Sequence, residues 1–416
     1  QVWLSLHPEA GGVEPGTHQA RVEVSAEGTT SIQTELDVRI FDFEFPEQPT
    51  LSLGGWDYTD AGGYGLTAAN RDSILQMLQD YYVDTPWATM GVMPSGAEFD
   101  AEGNLTNELN FDRWDRWVGW WPEARYYNVF QHAGTDFHGE EMGTERFTRM
   151  VGQWIAAWVE HMTEQGIEPG RLQILIYDEP NEPRESEIIA AWAKAYKAAQ
   201  PEVRIWEDPR FPEPWNATEA ERTVLEISDV ICPNTYTFLR ADQRERDAYL
   251  NAIDDDTELW FYDCSGPGKG LDPYSYHRGQ MWAAMKYGAL GTGYWCFTCS
   301  GGGTSWNAYA QKSIEYSPLF IGETTATRGK HMEAIREGIQ DYEYFVKLRD
   351  RVDELKAQGV EDPALARAEA LLQEGPERVM GPIVAGGVGW GGERDRSLMD
   401  EVRVEMLEAL EALRGL

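Results

Sequence analysis

From residue 51 onward, short apolar runs alternate with longer amphipathic segments, and each apolar run stops at polar residues. Short runs with apolar side chains at successive positions are typical of strands that are buried on both faces. The pattern predicts eight strands, at 51–58, 86–90, 126–132, 172–177, 203–206, 230–233, 259–262 and 291–297.

Helices are predicted between these strands because apolar residues recur there every three or four positions. They lie at 70–82, 111–121, 144–165, 186–200, 218–227, 242–253, 276–287 and 329–353. Thr218 is the expected N-cap of its helix, and Gly166 ends another. Eight strand-helix units call for a parallel sheet closed into a (β/α)8 TIM-type barrel. Further helices are predicted at 364–373 and 397–413, with a loop at 381–392.

The first 48 residues have a different pattern. Apolar and polar residues alternate at 18–24 and 31–45, with Glu27-Gly28 as a turn between them. This predicts a small antiparallel β module, or the tail end of one, followed by a proline-containing linker at 46–49. We therefore expect two parts, a β module at 1–48 and a barrel with closing C-terminal helices at 49–416.

Composition restricts the partners and the compartment. The 416 residues include 71 acidic and 35 basic side chains, for a formal net charge of −36. Nucleic acid and anionic membrane surfaces both require a basic footprint, so neither is an expected partner. No apolar run approaches the roughly 20 residues needed to span a bilayer, and a soluble protein, secreted or periplasmic, is expected. The cysteines are expected to be free thiols ahead of a disulfide or a metal site; they are Cys232, Cys264, Cys296 and Cys299.

The residues at the ends of the predicted strands are mainly acids and large aromatics. In a barrel these ends converge on one face. They are Trp56, Asp57, Gln131, His132, Asp178, Glu179, Glu207, Asp208, Asn234, Tyr236, Tyr262, Asp263 and Trp295. A cluster of histidine ligands, a phosphate-binding glycine loop and a serine elbow are all missing from the sequence, so no cofactor or metal is expected. Carboxylates with aromatic walls indicate a glycan substrate and cleavage of a glycosidic bond.

The acids Asp178 and Glu179 end the central strand, and Pro180 stops the strand from continuing. Two neighbours at one strand end lie on the same side of a bound sugar. They therefore cannot flank the anomeric carbon as acid and nucleophile, which is the usual retaining layout. They can divide the work if the substrate supplies its own nucleophile, such as a 2-acetamido carbonyl. Glu179 would then protonate the leaving oxygen, and its pKa is expected to be raised by the neighbouring charge and by aromatic burial.

Four segments resemble glycoside hydrolase family 123. Tyr177-Asp-Glu-Pro180 resembles the catalytic segment of that family, and Leu259-Trp-Phe-Tyr-Asp-Cys264 is similar to its seventh strand. The segment from Arg278 to Trp295 and the segment from Arg336 to Glu343 resemble its last helix-strand unit and its closing helix. The opening, through Phe45-Pro46, resembles the end of the family's N-terminal β-sandwich, although that part looks truncated here.

The resemblance implies a β-N-acetylgalactosaminidase that acts by substrate assistance. Asp178 would orient the acetamido group, and Glu179 would be the acid/base. It implies the fold more directly than the sugar, and N-acetylglucosamine stays open.

The other candidate site residues each have a structural alternative. Arg278 could bridge Asp178 or hold a sugar hydroxyl, or it could form a helix-surface ion pair. Tyr236 and Tyr262 could donate to a ring substituent or line the core. The remaining candidates could contact sugar or serve packing and hydrogen bonding; they are Trp56, His132, Asn234, Trp295 and Trp306.

Three alternative functions remain. Asn181-Glu182-Pro183 matches the segment on the fourth strand of retaining barrel glycosidases that use two carboxylates, with Glu182 as acid/base. Those enzymes need a glutamate at the end of the seventh strand, and here Glu258 lies at the start of that strand. A non-catalytic carbohydrate-binding barrel and a glycosidase for sugars without the acetamide are the other two.

Overall fold

The computed structural model describes residues 6, 12–62, 65–264, 266–269, 272–298, 317–386 and 397–416. Contacts between Cα atoms divide the chain into two compact units. One comprises Gln1–Gln48, Glu343–Gly375 and Ser397–Leu416, and the other comprises Pro49–Tyr342 and Pro376–Arg396. No helix in the described ranges is both long enough and apolar enough to cross a bilayer.

The first unit contains an antiparallel hairpin formed by β1 (Gly16–Val24) and β2 (Ile32–Ile40). Gly28 has a φ of +78° in the connecting turn, a conformation that glycine adopts without strain. Arg39 of β2 pairs with Glu408 and Glu411, each at 2.7 Å. The hairpin confirms the antiparallel sheet predicted before the barrel.

The second unit contains eight parallel strands in the order β3-β12-β11-β10-β9-β8-β5-β4. The strands of this unit, with two small hairpins (β6–β7 and β13–β14), are β3 (Ser52–Gly54), β4 (Trp87–Thr89), β5 (Tyr127–Phe130), β6 (Asp136–Phe137), β7 (Glu140–Glu141), β8 (Leu172–Leu175), β9 (Arg204–Glu207), β10 (Val230–Ile231), β11 (Glu258–Cys264), β12 (Gly291–Trp295), β13 (Leu319–Ile321) and β14 (Ala326–Arg328). A parallel bridge between Gly54 and Thr85 joins the two ends of the sheet. A Cβ atom on Gly54 would lie 2.5 Å from the carbonyl oxygen of Thr85, so glycine permits this close approach. The predicted (β/α)8 barrel is confirmed.

The helices are α1 (Arg71–Asp80), α2 (Asp112–Trp120), α3 (Glu145–Glu164), α4 (Pro183–Ala199), α5 (Glu219–Ile227), α6 (Thr235–Arg240), α7 (Gln243–Leu250), α8 (Gly279–Tyr287), α9 (Lys330–Ala357), α10 (Pro363–Ala385) and α11 (Ser397–Leu413). A π-helical turn, Tyr274–Arg278, leads into α8. Thr218 caps α5 as predicted, by accepting a hydrogen bond from the N–H of Glu221.

Several boundaries differ from the predicted ones for local reasons. Helix α4 begins at Pro183, three residues early, because Glu182 and Glu185 form a capping box and proline suits the first helical position. Helix α10 continues to Ala385 through two prolines, where a loop was predicted from 381. The short α6 was not predicted at all.

Candidate active site at the barrel opening

Three residues that follow barrel strands have a left-handed backbone conformation without being glycine. Their φ angles are +49° for Tyr58, +54° for His132 and +47° for Glu179. This conformation costs about 1–2 kcal/mol in an L-residue, and such strain concentrates at functional sites. The residues come after β3, β5 and β8, at the barrel face where (β/α)8 enzymes bind their substrates. The strained backbone positions thus lie at the same end of the barrel as the polar residues that end the strands.

Asp178 and Glu179 lie together just beyond β8, with Asp178 exposed and Glu179 partly buried. The hydroxyl of Tyr262 donates a hydrogen bond to Oε1 of Glu179. Nη1 of Arg210 lies 2.6 Å from Oε2 of the same carboxylate. The Arg210 side chain is 49% exposed, so this ion pair faces solvent. Both predicted catalytic acids are therefore accessible at the opening.

A second pair of acids, Glu207 and Asp208, holds the main chain of the segment that carries the first pair. Both residues are fully buried at the end of β9. Oε1 of Glu207 accepts the N–H of Ile176 at 3.0 Å, and Oδ1 of Asp208 accepts the N–H of Glu179 at 2.8 Å. The two carboxyls accept main-chain N–H groups of the segment that follows β8, in place of carbonyl groups of a neighbouring strand. They thereby stabilise the left-handed backbone at Glu179.

Burial raises the pKa of several carboxyls in this group. It raises the pKa values of Glu207 and Asp208 well above their ordinary range, and the charge of Asp178 raises both further. Asp178 also has a raised pKa, first because surrounding protein desolvates its carboxyl and then because of the charge of Glu179. Arg210 lies beside this group of carboxyls as the counter-ion of Glu179.

A cluster of aromatic rings fills the barrel interior next to the acids. The ring of Trp56 is buried and stacks on Trp87 at 4.4 Å between centroids. It also contacts Trp206 at 5.9 Å and Tyr262 at 5.4 Å. Trp295, partly buried at the end of β12, packs against the same cluster. Trp56 therefore supports the site from within the core.

Two predicted substrate contacts lie with the acid pair. Tyr262 donates a hydrogen bond to Glu179, as described. The exposed His132 lies close enough to Asp178 to lower the pKa of its carboxyl by charge interaction. The imidazole of His132 also stacks on Tyr177, with 6.2 Å between ring centroids. These positions fit residues that border a bound sugar.

Two other candidates, on α6, have local partners. Asn234 is the N-cap of α6, where its Oδ1 accepts the N–H of Thr237 at 3.1 Å. Tyr236 accepts a hydrogen bond at its hydroxyl from Arg240, one turn along the same helix. Asn234 also donates from Nδ2 to Oδ1 of Asp263 on β11 at 3.4 Å, so it joins the start of α6 to the neighbouring strand. The contact of Tyr236 stays within α6.

Arg278 has no exposed surface, and its contacts link α8 to α9. Its Nε lies 2.7 Å from Oδ2 of Asp341, and its Nη1 lies 3.2 Å from Oε2 of Glu337. Trp282 donates to the same Asp341 oxygen at 2.9 Å. Of its two predicted roles, the structure thus supports an ion pair between helices, in a buried form. Trp306 and Cys299 lie outside the described residues, and Cys232 is a buried free thiol.

Two residues that contact the acid pair, Asp208 and Arg210, had no role predicted from the sequence. One signal was available. Trp206-Glu207-Asp208-Pro209 repeats the order of Tyr177-Asp178-Glu179-Pro180, an aromatic residue, two acids and a proline, on the neighbouring strand. Adjacent parallel strands bring such segments side by side.

Comparison with known proteins supports the fold. No family model matches the chain, and no curated protein matches it. Among solved structures, it is similar to a family 123 glycoside hydrolase from Clostridium perfringens, with a TM-score of 0.60 and 10% identity over 96% of this chain and 76% of that one. Lower likenesses are to a beta-glucuronidase from an uncultured Clostridium sp. (TM-score 0.43, 12% identity, 74% and 55% covered) and to a GH5-4 broad specificity endoglucanase from Clostridium longisporum (0.40, 11%, 70% and 96%). The resemblance to family 123 is therefore supported at the level of the fold.

Proposed function

We propose that this chain is a glycoside hydrolase that releases a terminal β-linked N-acetylhexosamine, foremost N-acetylgalactosamine, with retention of configuration. The observation that carries the proposal is the adjacency of Asp178 and Glu179 at the barrel opening. The shared fold adds support, because the family 123 enzyme with that fold is described as acting in glycolipid glycan hydrolysis.

Glu179 acts as the acid/base and Asp178 as the orienting carboxylate. Glu179 gives its proton to the glycosidic oxygen while the 2-acetamido carbonyl oxygen attacks the anomeric carbon, which breaks the bond to the leaving group. Asp178 accepts the acetamido N–H and stabilises the positive charge of the resulting oxazolinium ion. A water molecule then attacks the anomeric carbon and returns a proton to Glu179.

The contacts of Glu179 fit both halves of this cycle. Tyr262 fixes the direction of the carboxyl through Oε1. Arg210 balances its negative charge when it acts as a base, at 2.6 Å from Oε2. Because the guanidinium is about half exposed, the ion pair is weak, at about 0–1 kcal/mol, and a leaving-group oxygen can displace it.

The alternative that uses Glu182 is less well supported. Glu182 is the N-cap residue of α4, and its side chain accepts a hydrogen bond from the N–H of Glu185. Strand β11 ends in Asp263-Cys264 and has Glu258 at its first position. A flanking nucleophilic glutamate is therefore missing from the C-terminal end of this described strand.

The proposal is tested with chromogenic glycosides that carry or lack the 2-acetamido group. We expect turnover of the acetamido substrates only, with N-acetylgalactosaminides preferred. Glu179→Gln should lower kcat by about 100-fold or more on substrates with poor leaving groups, and Asp178→Asn should lower it on all N-acetylated substrates.

Glu182→Gln is the matched control, because glutamine retains an oxygen for the helix cap. It should keep wild-type rates. Loss of activity in this variant with retention in Glu179→Gln would favour the two-carboxylate mechanism. Calorimetric binding of a glycan without turnover of any substrate would favour a carbohydrate-binding barrel.

A further inference from the structure

We infer that Asp208 is a positioning residue that shares one proton with Asp178 and thereby fixes the direction and charge of the Asp178 carboxylate. This inference rests on the proposed function for its catalytic meaning. The proton sharing itself follows from the contacts of the two side chains, and it can be measured without turnover.

The two oxygens of Asp208 have different surroundings, and the side chain is 0% exposed. Oδ1 accepts the N–H of Glu179 at 2.8 Å. Oδ2 is buried and has no donor among the described groups. Asp178, the residue before Glu179, lies beside Asp208, and the interaction of the two carboxyls lowers the pKa of Asp178. Ionised carboxylates only accept hydrogen bonds, so two of them in contact require a proton on one.

Burial decides which carboxyl holds that proton. Asp208 is fully enclosed, whereas Asp178 has an exposed surface although protein partly desolvates its carboxyl. A charge is far more costly on the enclosed group than on the exposed one. Asp208 therefore retains the proton and donates it to Asp178, which carries the charge. The directions agree with this assignment, because burial raises the pKa of Asp208 well above its ordinary range, whereas the contact with Asp208 lowers the pKa of Asp178 against the raising effect of desolvation.

The charged groups around Asp208 strengthen this assignment. Its titratable neighbours come from four barrel strands or their ends and are Asp178, Glu179, Glu207, Cys232 and Tyr262. Each of these groups is neutral when protonated and anionic when it has lost its proton, so none of them stabilises a negative charge on Asp208. The cation Arg210 is bound to Glu179, and His132 acts on Asp178.

The shared proton matters for the reaction because Asp178 must be ionised and correctly aimed. A protonated Asp208 holds the Asp178 carboxylate with one oxygen and the Glu179 main chain with the other. When Asp208 loses the shared proton at alkaline pH, both carboxyls are negatively charged and repel each other. Asp178 then turns toward solvent, and the rate falls. The wild-type enzyme should accordingly have an alkaline limb in kcat that belongs to this pair.

The kinetic test uses an N-acetylated aryl glycoside with a good leaving group, because departure of that group does not depend on protonation by Glu179. Asp208→Asn is the central variant, since its amide can donate to Asp178 and accept from the Glu179 N–H without titrating. We expect it to keep kcat within about fivefold at neutral pH and to lack the alkaline limb. Asp208→Ala should lose about tenfold or more, because both contacts are gone.

Glu207→Gln is the matched control for the pH profile. Glu207 is also fully buried and also has one oxygen without a donor, but the described contact to Asp178 comes from Asp208. The alkaline limb should persist in this variant, whatever its rate. Persistence of the limb in Asp208→Asn would overturn the inference.

Infrared difference spectroscopy supplies a readout that does not require activity. The spectrum of wild type minus Asp208→Asn at neutral pH should contain the C=O stretching band of a protonated carboxyl, and this band should disappear at alkaline pH. Absence of the band would overturn the inference. If the band is present but no glycoside is hydrolysed, proton sharing stands and the proposed function fails.

Discussion

The guanidinium of Arg210 lies 2.6 Å from the carboxylate of Glu179 and joins the loops that follow β9 and β8. The same two loops are linked by their main chains, since the N–H of Arg210 donates to the carbonyl of Pro180 at 3.0 Å. Arg210 thus adds a charge to a contact that the backbone already fixes. Its side chain can be changed with little effect on the loop.

Replacing Arg210 should affect the rate more than the fold. Arg210→Ala removes the counter-ion of Glu179, and we expect kcat/KM to fall by up to about fivefold, in line with a half-exposed ion pair worth about 0–1 kcal/mol. Arg210→Lys keeps the charge and should recover part of the loss. Steady-state kinetics on an N-acetylated glycoside checks both. Equal rates for wild type and Arg210→Ala would show that the ion pair has no part in the reaction.

Tyr262→Phe should separate catalysis from packing. Phenylalanine keeps the ring that contacts Trp56 at 5.4 Å but cannot donate to Glu179. Loss of a hydrogen bond to a charged group, about 1.5–3 kcal/mol, predicts a fall in kcat/KM of about 10- to 100-fold.

Tyr127→Phe is the matched control for Tyr262→Phe. It removes a buried hydroxyl that donates to the carbonyl of Trp121 at 2.8 Å. It should lower the free energy of unfolding by about 1 kcal/mol and leave the kinetics of the folded fraction unchanged. Unchanged kinetics in Tyr262→Phe would remove Tyr262 from the site.

The network of Arg278 should contribute to stability. Asp341→Ala leaves the fully buried guanidinium without its 2.7 Å partner, and loss of one member of a buried pair costs about 3–5 kcal/mol. Urea denaturation measures the change. The exposed pair of Arg184 and Glu187, also at 2.7 Å, is the control; Glu187→Ala should change stability by less than about 1 kcal/mol. A raised KM with unchanged stability in Asp341→Ala would place Arg278 near substrate.

Stability should fall as the pH rises toward the alkaline range. Burial raises the pKa of Asp84 to about 6, of Asp57 to about 7 and of Asp263 to about 8. The unfolded chain releases these protons near pH ~3.9, so the folded chain binds more protons between these values. The resulting stabilisation is complete below pH ~3.9 and is lost progressively up to pH ~8.

Thermal unfolding at constant ionic strength between pH ~5 and ~8 checks this expectation. The melting temperature should decrease across the window. Asp263→Asn retains an oxygen that can accept the N–H of Cys264 at about its present 3.0 Å, and it should flatten the upper part of the profile. A melting temperature that rises with pH would contradict the assignment.

The barrel could be predicted from the sequence because its signal is repeated eight times. Each apolar strand and amphipathic helix supports the same alternation, so an error at one boundary does not change the fold. Helix α6 was missed because its six residues are too few to show a helical period. Its N-cap, Asn234, was recognised only as a polar strand end.

The site could be predicted only in part. Asp178 and Glu179 were found because they end an apolar run, which is a local feature. The support of Asp208 was not found, because alternation stops where a strand ends and the direction of a side chain there depends on its neighbours. The burial of Arg278 depends on Asp341, 63 residues away, and local sequence does not reveal such a partner.

The residues with left-handed backbone at the barrel opening create a conflict between thermal stability and catalytic activity. Glycine at His132 or Glu179 would relieve about 1–2 kcal/mol of backbone strain at each position. At Glu179 the same exchange would delete the proposed acid. Directed evolution for thermal tolerance alone would therefore enrich glycine variants that have lost activity. Each round of selection needs an assay of product formation to prevent this.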